Sequence, residues 1–194
     1  MPITSQLVKD FYGVACTKYG ANVTSKSNSD FMKLVGSFLD GIGVIDKEKF
    51  MRQYTTTIGA TIYSPYEIGV DGGSGGYDLW DQVKILCHEL VHVVQYKTHP
   101  AKFLVLYLAS PSDRASYEAE AYAADLQLFY WMYGHGYDTA QRAKSLLNYG
   151  LKQEHCDYVA QYLDVHADIF AQGGASSEVS TWAASWLDAH GAKA

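Results

Sequence analysis

The chain has few basic residues, and they are not clustered. Lys and Arg together number 15 against 21 Asp and Glu, so the formal net charge is −6 over 194 residues. Binding to nucleic acid needs a basic face that neutralises phosphates. The composition therefore argues against a nucleic-acid partner.

Paired cysteines, long apolar runs and a secretory leader are also missing. Cys16, Cys87 and Cys156 are odd in number and show no CxxC spacing, so neither a disulfide framework nor a cysteine zinc site is indicated. The longest apolar run, residues 103–109, is far shorter than the roughly 18 residues that span a bilayer. Residues 1–12 lack the basic end and apolar core of a signal peptide. We expect no membrane partner and a cytoplasmic protein where it is synthesised, with signal-free export left open.

Helix signals dominate what is present. A hydrophobic fraction of 48% is that of an ordinary globular protein. Residues 55–63 are rich in β-branched side chains and predict one strand, residues 68–70 a short partner strand, and residues 72–76 a flexible glycine loop. The chain is therefore expected to be α+β and predominantly helical. The shorter helices are predicted at residues 3–19, 29–40 (capped by Ser29 or Asn28), 138–150, 153–171 and 178–190.

Two long helices frame the middle of the chain. The first is capped by Asp78 and ends before Pro100, and its apolar residues recur at helical spacing. The second has Ser110 as its cap and Pro111 at its first position, and Gly134 ends it after Tyr133. The apolar stripe of the first helix is expected to face the core and consists of Leu79, Val83, Leu86, Leu90 and Val94.

The chemistry is concentrated in residues 88–92, which read HELVH. Residues four apart lie on one face of a helix, so His88 and His92 can bind one metal ion. Glu89 lies about 100° around the helix, which places its carboxylate beside a metal-bound water. This motif predicts a Zn²⁺ site with Glu89 as the general base.

A catalytic zinc site needs a third protein ligand. A histidine soon after the motif fits poorly, because Gln95 stands where HExxHxxGxxH has glycine and His99 is one residue late. A glutamate on the second long helix is the other route. Glu118 and Glu120 point about 200° apart and cannot both reach one ion. Glu118 is preferred because it shares its face with Ala121, which allows close approach, and with Asp125, a possible partner for a ligand histidine.

Residues 57–63, the glycine-rich gap and residues 86–95 together resemble the gluzincin peptidases. The likeness is closest to peptidase-like domains with the motif HELxHVxQ, often encoded near bacterial toxins or phage-like injection systems. Glu118 to Ala121 is similar to the second signature of the ImmA/IrrE peptidases, whose ligand glutamate stands three residues before the alanine, as Glu118 does here.

The resemblance, over roughly residues 55–130, implies a zincin-like fold. A small antiparallel sheet would pack on the HExxH helix and a glutamate helix, with its edge strand aligning a peptide or protein substrate. We expect a single domain over residues 1–194, with a catalytic core at 55–133 and helical additions at 1–50 and 135–194. The metal ligands would be His88, His92 and Glu118.

The sequence does not choose the group that stabilises the oxyanion, and it leaves two rival functions open. The first rival is a non-hydrolytic zinc-binding or interaction domain of a toxin, secretion or phage-like assembly, which would not need Glu89. The second is a helical interaction protein that uses the stripe of Val179, Trp182 and Trp186. The candidate oxyanion donors are Tyr107, Tyr117, His135, His155 and His166.

Overall fold

A computed structural model describes residues 2–41, 46–73 and 75–192. The predominantly helical α+β class is confirmed. Met1, residues 42–45 and 193–194, and Ser74 of the predicted glycine loop lie outside the described residues. The α-helices are α1 (Ser5–Tyr19), α2 (Asp30–Gly41), α3 (Lys47–Gln53), α4 (Leu79–Thr98), α5 (Pro100–Ala109), α6 (Pro111–Tyr133), α7 (Thr139–Lys144), α8 (Gln153–Ala171) and α9 (Glu178–Ala189), with a 3-10 helix at Ser145–Tyr149. The strands are β1 (Asn22–Ser25), β2 (Thr56–Ile58) and β3 (Thr61–Ser64).

The sheet is mixed, so the prediction of an antiparallel sheet was wrong. Its order is β1-β3-β2, with β1 parallel to β3 and β2 antiparallel to β3. The single strand predicted at residues 55–63 is a hairpin, because Gly59 turns the chain with a φ of 64°. Glycine at the first central position suits a two-residue hairpin turn, but the β-branched residues on either side hide that turn in the sequence.

Residues 68–70 form a turn, and the partner strand predicted there was wrong. Gly69 has a φ of 78°, and its N–H donates to Oε1 of the buried Gln82 at 2.8 Å. Gln82 Nε2 donates in turn to the carbonyl of Val70 at 2.8 Å. A side chain of α4 thus satisfies backbone groups that a strand would have paired. The third strand is β1 instead, so residues 1–50 contribute to the sheet and are not only helical additions.

The helices α4 and α6 pack against each other at the centre of the molecule. In the predicted apolar stripe of α4, Val83, Leu86 and Leu90 are buried and Leu79 is partly buried, whereas Val94 is 37% exposed and does not face the core. Helix α6 is buried on two sides, because it belongs to one core cluster with α4 and to a second with α8. Its alanines let both neighbours approach closely. Polar side chains on α6 therefore lie in the interior of the protein.

The aromatic stripe of α9 packs on the protein's own core. Trp182 stacks on Phe11 of α1 with ring centroids 5.6 Å apart, and Trp186 lies 5.3 Å from the same ring. This packing leaves the interaction-protein hypothesis without its exposed aromatic face. Separately, none of the helices in the described ranges combines the length and apolarity needed to cross a membrane.

A buried lysine ties down the chain that leads into β2. Lys26 is fully buried, and its Nζ donates to the carbonyl oxygens of Phe50 at 3.0 Å and Tyr54 at 2.8 Å. It also donates to Oγ1 of Thr56 at 2.8 Å. These three acceptors match the three donors of an ammonium group. Lys26 therefore holds the start of β2 in place beside α4.

Candidate metal centre

Helix α4 presents both histidines of the motif to α6. The helix starts where predicted, because Asp78 Oδ1 accepts the N–H of Asp81 at 2.6 Å. Its apolar side is buried against the core, which leaves His88 and His92 on the side that faces α6. The two imidazole rings lie with centroids 4.9 Å apart.

Helix α6 brings Glu118 between the two histidines. Its first turn is capped by Ser110, whose Oγ accepts the N–H of Asp113 at 3.2 Å. Oε2 of Glu118 lies 3.5 Å from His88 Nε2, and Oε1 lies 3.5 Å from His92 Nε2. The three side chains offer ligand atoms that all lie within 4.8 Å of one another.

The two separations between Glu118 and the histidines fit a tetrahedral metal ion. Zinc bonds of 2.0–2.1 Å place neighbouring tetrahedral ligands about 3.4 Å apart, close to the two 3.5 Å contacts. Two imidazoles and one carboxylate are a donor set of catalytic zinc sites, in which a fourth position takes water. His88, His92 and Glu118 therefore form a group that could hold a metal ion.

The other two ligand candidates lie outside this group. Glu120 is exposed, and its Oε2 accepts from Gln95 Nε2 at 2.7 Å. Gln95 Oε1 lies 2.8 Å from His92 Nδ1, so Glu120 acts on the site only through Gln95. His99 is the C-cap of α4 and donates its backbone N–H to the carbonyl of Gln95; it is not part of the His88, His92 and Glu118 group. Because Glu118 and Glu120 lie about 200° apart around the helix, Glu118 reaches the histidines and Glu120 does not.

The second ring nitrogen of His88 lies at ion-pair distance from a carboxylate, and that of His92 lies at hydrogen-bond distance from an amide. His88 Nδ1 lies 3.5 Å from Oδ2 of the buried Asp125, which also accepts from Arg142 Nη2 at 2.8 Å. His92 Nδ1 meets Gln95. Such partners fix the orientation of ligand imidazoles and make them better ligands. Asp125 is thus placed as the sequence suggested.

His88, Glu118 and Asp125 hold each other in their charged forms. Burial opposes a charge on His88, but Asp125 and Glu118 outweigh it and raise the pKa of His88 to about 10. Burial also opposes the charge on Glu118, whereas His92 and His88 lower the pKa of Glu118 to about 2. For Asp125, burial is likewise outweighed, because His88 and Arg142 lower its pKa. A proton therefore occupies His88 at neutral pH when no metal competes for it.

Zinc binding is expected to strengthen with pH well above neutrality. Zinc must displace the proton of His88, whose pKa of about 10 lies above the ordinary value. The zinc dissociation constant should therefore fall about tenfold per pH unit from pH 7 to 9. Chelator-competition titrations at several pH values measure it.

An ordinary histidine would give a different curve. Its proton is gone above about pH 7, so affinity that levels off there would contradict the expectation. Asp125→Asn removes the carboxylate that contributes most to the raised pKa of His88. In that variant the zinc affinity should stop rising at a lower pH than in the wild type.

Glu89 and His88 of the metal group both line a large cavity. The side chain is 7% exposed, and Thr57 Oγ1 on β2 donates to its Oε2 at 2.6 Å. The cavity has a volume of about 740 Å³ and is open to solvent along α4. It is walled by residues 53–55 before β2, by α4 from Asp81 to Glu89, by α6 and by the region of α7. Glu89 is therefore held in place and can reach a molecule in this cavity.

Of the five candidate oxyanion donors, Tyr107 lies at the metal group. Its hydroxyl donates to Glu118 Oε1 at 2.5 Å. The ring of Tyr117 stacks at 6.4 Å from that of Tyr107, but Tyr117 lines a different groove. The three histidines lie elsewhere: His135 after α6, and His155 and His166 on α8.

Sequence reasoning missed three groups that support the site. Gln95 stands three residues after His92, and this helical spacing was the signal that could have identified it. Thr57 and Arg142 are far from the motif in sequence, and no local pattern marks them. Cys87, next to a ligand, is buried, and burial raises the pKa of its thiol, which suits a packing residue better than a reactive one.

Comparisons of the chain with protein families, with curated proteins and with solved structures find no match. Function therefore has to be inferred from the residues of the site.

Proposed function

We propose that the chain is a zinc-dependent peptidase that hydrolyses a peptide bond in a peptide or protein substrate. The observation that carries this proposal is Glu89. A carboxylate one residue after a ligand histidine, bonded to Thr57 and adjoining a cavity, has no role in holding a metal ion. It suits a general base. The His88, His92 and Glu118 group supports the metal, and the resemblance to gluzincins supports zinc as its identity.

The roles of the residues follow from their positions. A bound zinc ion would lower the pKa of a water molecule and polarise the peptide carbonyl. Glu89 would accept the proton of that water and pass it to the leaving amine. Thr57 would keep the Glu89 carboxylate aimed at the cavity, and Tyr107 would donate to the oxygen of the tetrahedral intermediate. Strand β2 is paired only with β3 in the described chain, so its other edge is available to an extended peptide.

Metal content and cleavage test the proposal together. The purified protein, reconstituted at neutral pH, is expected to hold one zinc ion per chain by elemental analysis. The zinc-loaded protein should cut peptides in a mixture of defined sequences, and the chelated protein should not. A protein that takes up no zinc would refute the proposal. A zinc-loaded protein that cuts no peptide in the mixture or in a cellular proteome would favour the non-hydrolytic zinc domain.

Tyr107→Phe is expected to lower turnover about a hundredfold, which is the usual effect of losing one oxyanion donor. The zinc affinity should fall no more than about a hundredfold, because the hydroxyl is an outer partner of Glu118, so turnover is compared with zinc in saturating excess. Turnover of a cleaved peptide and chelator competition measure the two quantities. Tyr117→Phe, on the neighbouring ring, is the matched control and should leave turnover unchanged. If both variants turn over like the wild type, Tyr107 is not the oxyanion donor.

A further inference from the structure

Strand β2 and helix α4 run past the metal group in the same direction. The space beside them is open where β2 begins and closed where β2 ends. At the open end, residues 53–55 and Ile85 of α4 line the cavity together. In the middle, Thr57 meets Glu89. Beyond it, the ring of Tyr96 lies 3.5 Å from the position that a Cβ would take on Gly59. A peptide lying along β2 therefore has the cavity at one end and Tyr96 at the other.

Helix α5 closes the Tyr96 end. The chain folds back after α4, and Phe103 of α5 lies with its ring centroid 6.5 Å from that of Tyr96 and 5.4 Å from that of Tyr107. The hydroxyl of Tyr107 in turn donates a hydrogen bond to Glu118 of the metal group. These side chains form a wall from the end of β2 to the metal group. Among the described residues that line the cavity, none belongs to α5.

The wall leaves room for few substrate residues between itself and the peptide bond that is cut. Glu89 and Tyr96 lie on the same face of α4, seven residues apart, which corresponds to about 10 Å along the helix. An extended peptide advances about 3.3 Å per residue. About three residues therefore fit between Glu89 and the wall. On the other side, the cavity of about 740 Å³ takes a longer segment.

The polarity of the peptide follows from its pairing with β2. Antiparallel strand pairs outnumber parallel ones roughly two- to three-fold in proteins, so we take the antiparallel pairing. The amino-terminal part of the peptide then lies beside Ile58 and Tyr96, at the wall, and the carboxyl-terminal part lies beside residues 53–55, in the cavity. The short side of the site is thus the side of the substrate's amino end.

We propose that the site cuts peptides close to their amino end and releases fragments of about three residues or fewer. This inference rests on the proposed peptidase function. In the reaction, the oxygen of water joins the carbonyl carbon and the bond from that carbon to nitrogen breaks. Glu89 carries the water's proton to the nitrogen. The new amino end belongs to the long product in the cavity, and the short product lies at the wall.

Cleavage positions in defined long peptides test the inference. Zinc-loaded protein is incubated with a mixture of such peptides, and mass spectrometry locates each cut. Cuts confined to the first few bonds support it. Cuts spread along the interior of the peptides would overturn it and leave the peptidase function standing. If zinc is bound and no peptide is cut, the proposed function fails and this inference fails with it.

Removing part of the wall should move the cuts. Tyr96→Ala opens the space between β2 and Phe103, so the distribution of cuts should extend further from the amino end while the zinc content stays the same. Tyr158→Ala changes a half-exposed tyrosine on α8, away from the cavity and the wall, and should leave the distribution as in the wild type. A Tyr96→Ala protein that binds zinc and cuts at the wild-type positions would contradict the assignment of the wall.

Discussion

Replacing Glu118 with alanine is expected to lower zinc affinity more than about a hundredfold, beyond the usual effect of losing an outer partner of a ligand. Glu118 is 5% exposed and has one carboxylate oxygen facing each histidine at 3.5 Å. Its loss would remove both a candidate ligand and a negative charge that balances a bound metal ion. Chelator competition at neutral pH measures the affinity.

Glu120→Ala is the matched control for this variant. Glu120 stands two residues away on the same helix and reaches His92 only through Gln95. Its loss should change the affinity less than about tenfold, the lower end for an outer partner. Glu118→Gln keeps the side-chain volume, so it separates the loss of the carboxylate from a folding defect. This variant should also bind zinc poorly. If Glu118→Ala binds zinc like the wild type while Glu120→Ala does not, the ligand assignment is wrong.

Glu89→Gln is expected to lower turnover about 10²–10⁴-fold while zinc content and fold are unchanged, because this is the usual contribution of a positioned general base. Glutamine has the shape of glutamate and can still accept the Thr57 hydroxyl hydrogen, which Glu89 Oε2 now accepts at 2.6 Å. It cannot take a proton from water. Turnover on a cleaved peptide, elemental analysis and thermal unfolding measure the three properties.

Glu178→Gln provides the same chemical change at a distant place. Glu178 is exposed and pairs with Lys18 on the surface, where such pairs contribute little. This variant should turn over like the wild type. Unchanged turnover in Glu89→Gln would show that Glu89 is not the base and would remove the observation on which the peptidase proposal rests.

Local patterns in the sequence identified the elements that carry the site. The caps at Asp78 and Ser110 predicted the starts of α4 and α6, because a capping side chain satisfies backbone groups within its own first turn. The four-residue spacing of His88 and His92 placed both imidazoles on one face of α4. The choice of Glu118 over Glu120 depended on helical phase and on the resemblance, and the structure brings Glu118 to the histidines.

Where two alternatives have the same local pattern, the sequence predicted poorly. A run of β-branched residues looks the same whether it is one strand or a hairpin, and Gly59 alone marks the turn. Strand β1 is short and mostly exposed, so it has no apolar alternation to reveal it. The parallel pairing of β1 with β3 joins residues far apart in sequence, and nothing local encodes such a partner.

The sequence by itself determined the two helices that carry the candidate ligands, their caps and the shared face of His88 and His92, because these depend on spacing within one helix. Only the tertiary structure decided which groups support those side chains and where a cavity adjoins them. Arg142 reaches Asp125, Thr57 reaches Glu89 and Tyr107 reaches Glu118 across separate elements. Such contacts depend on how helices and strands pack, and packing brings together residues whose sequence separation carries no periodic signal.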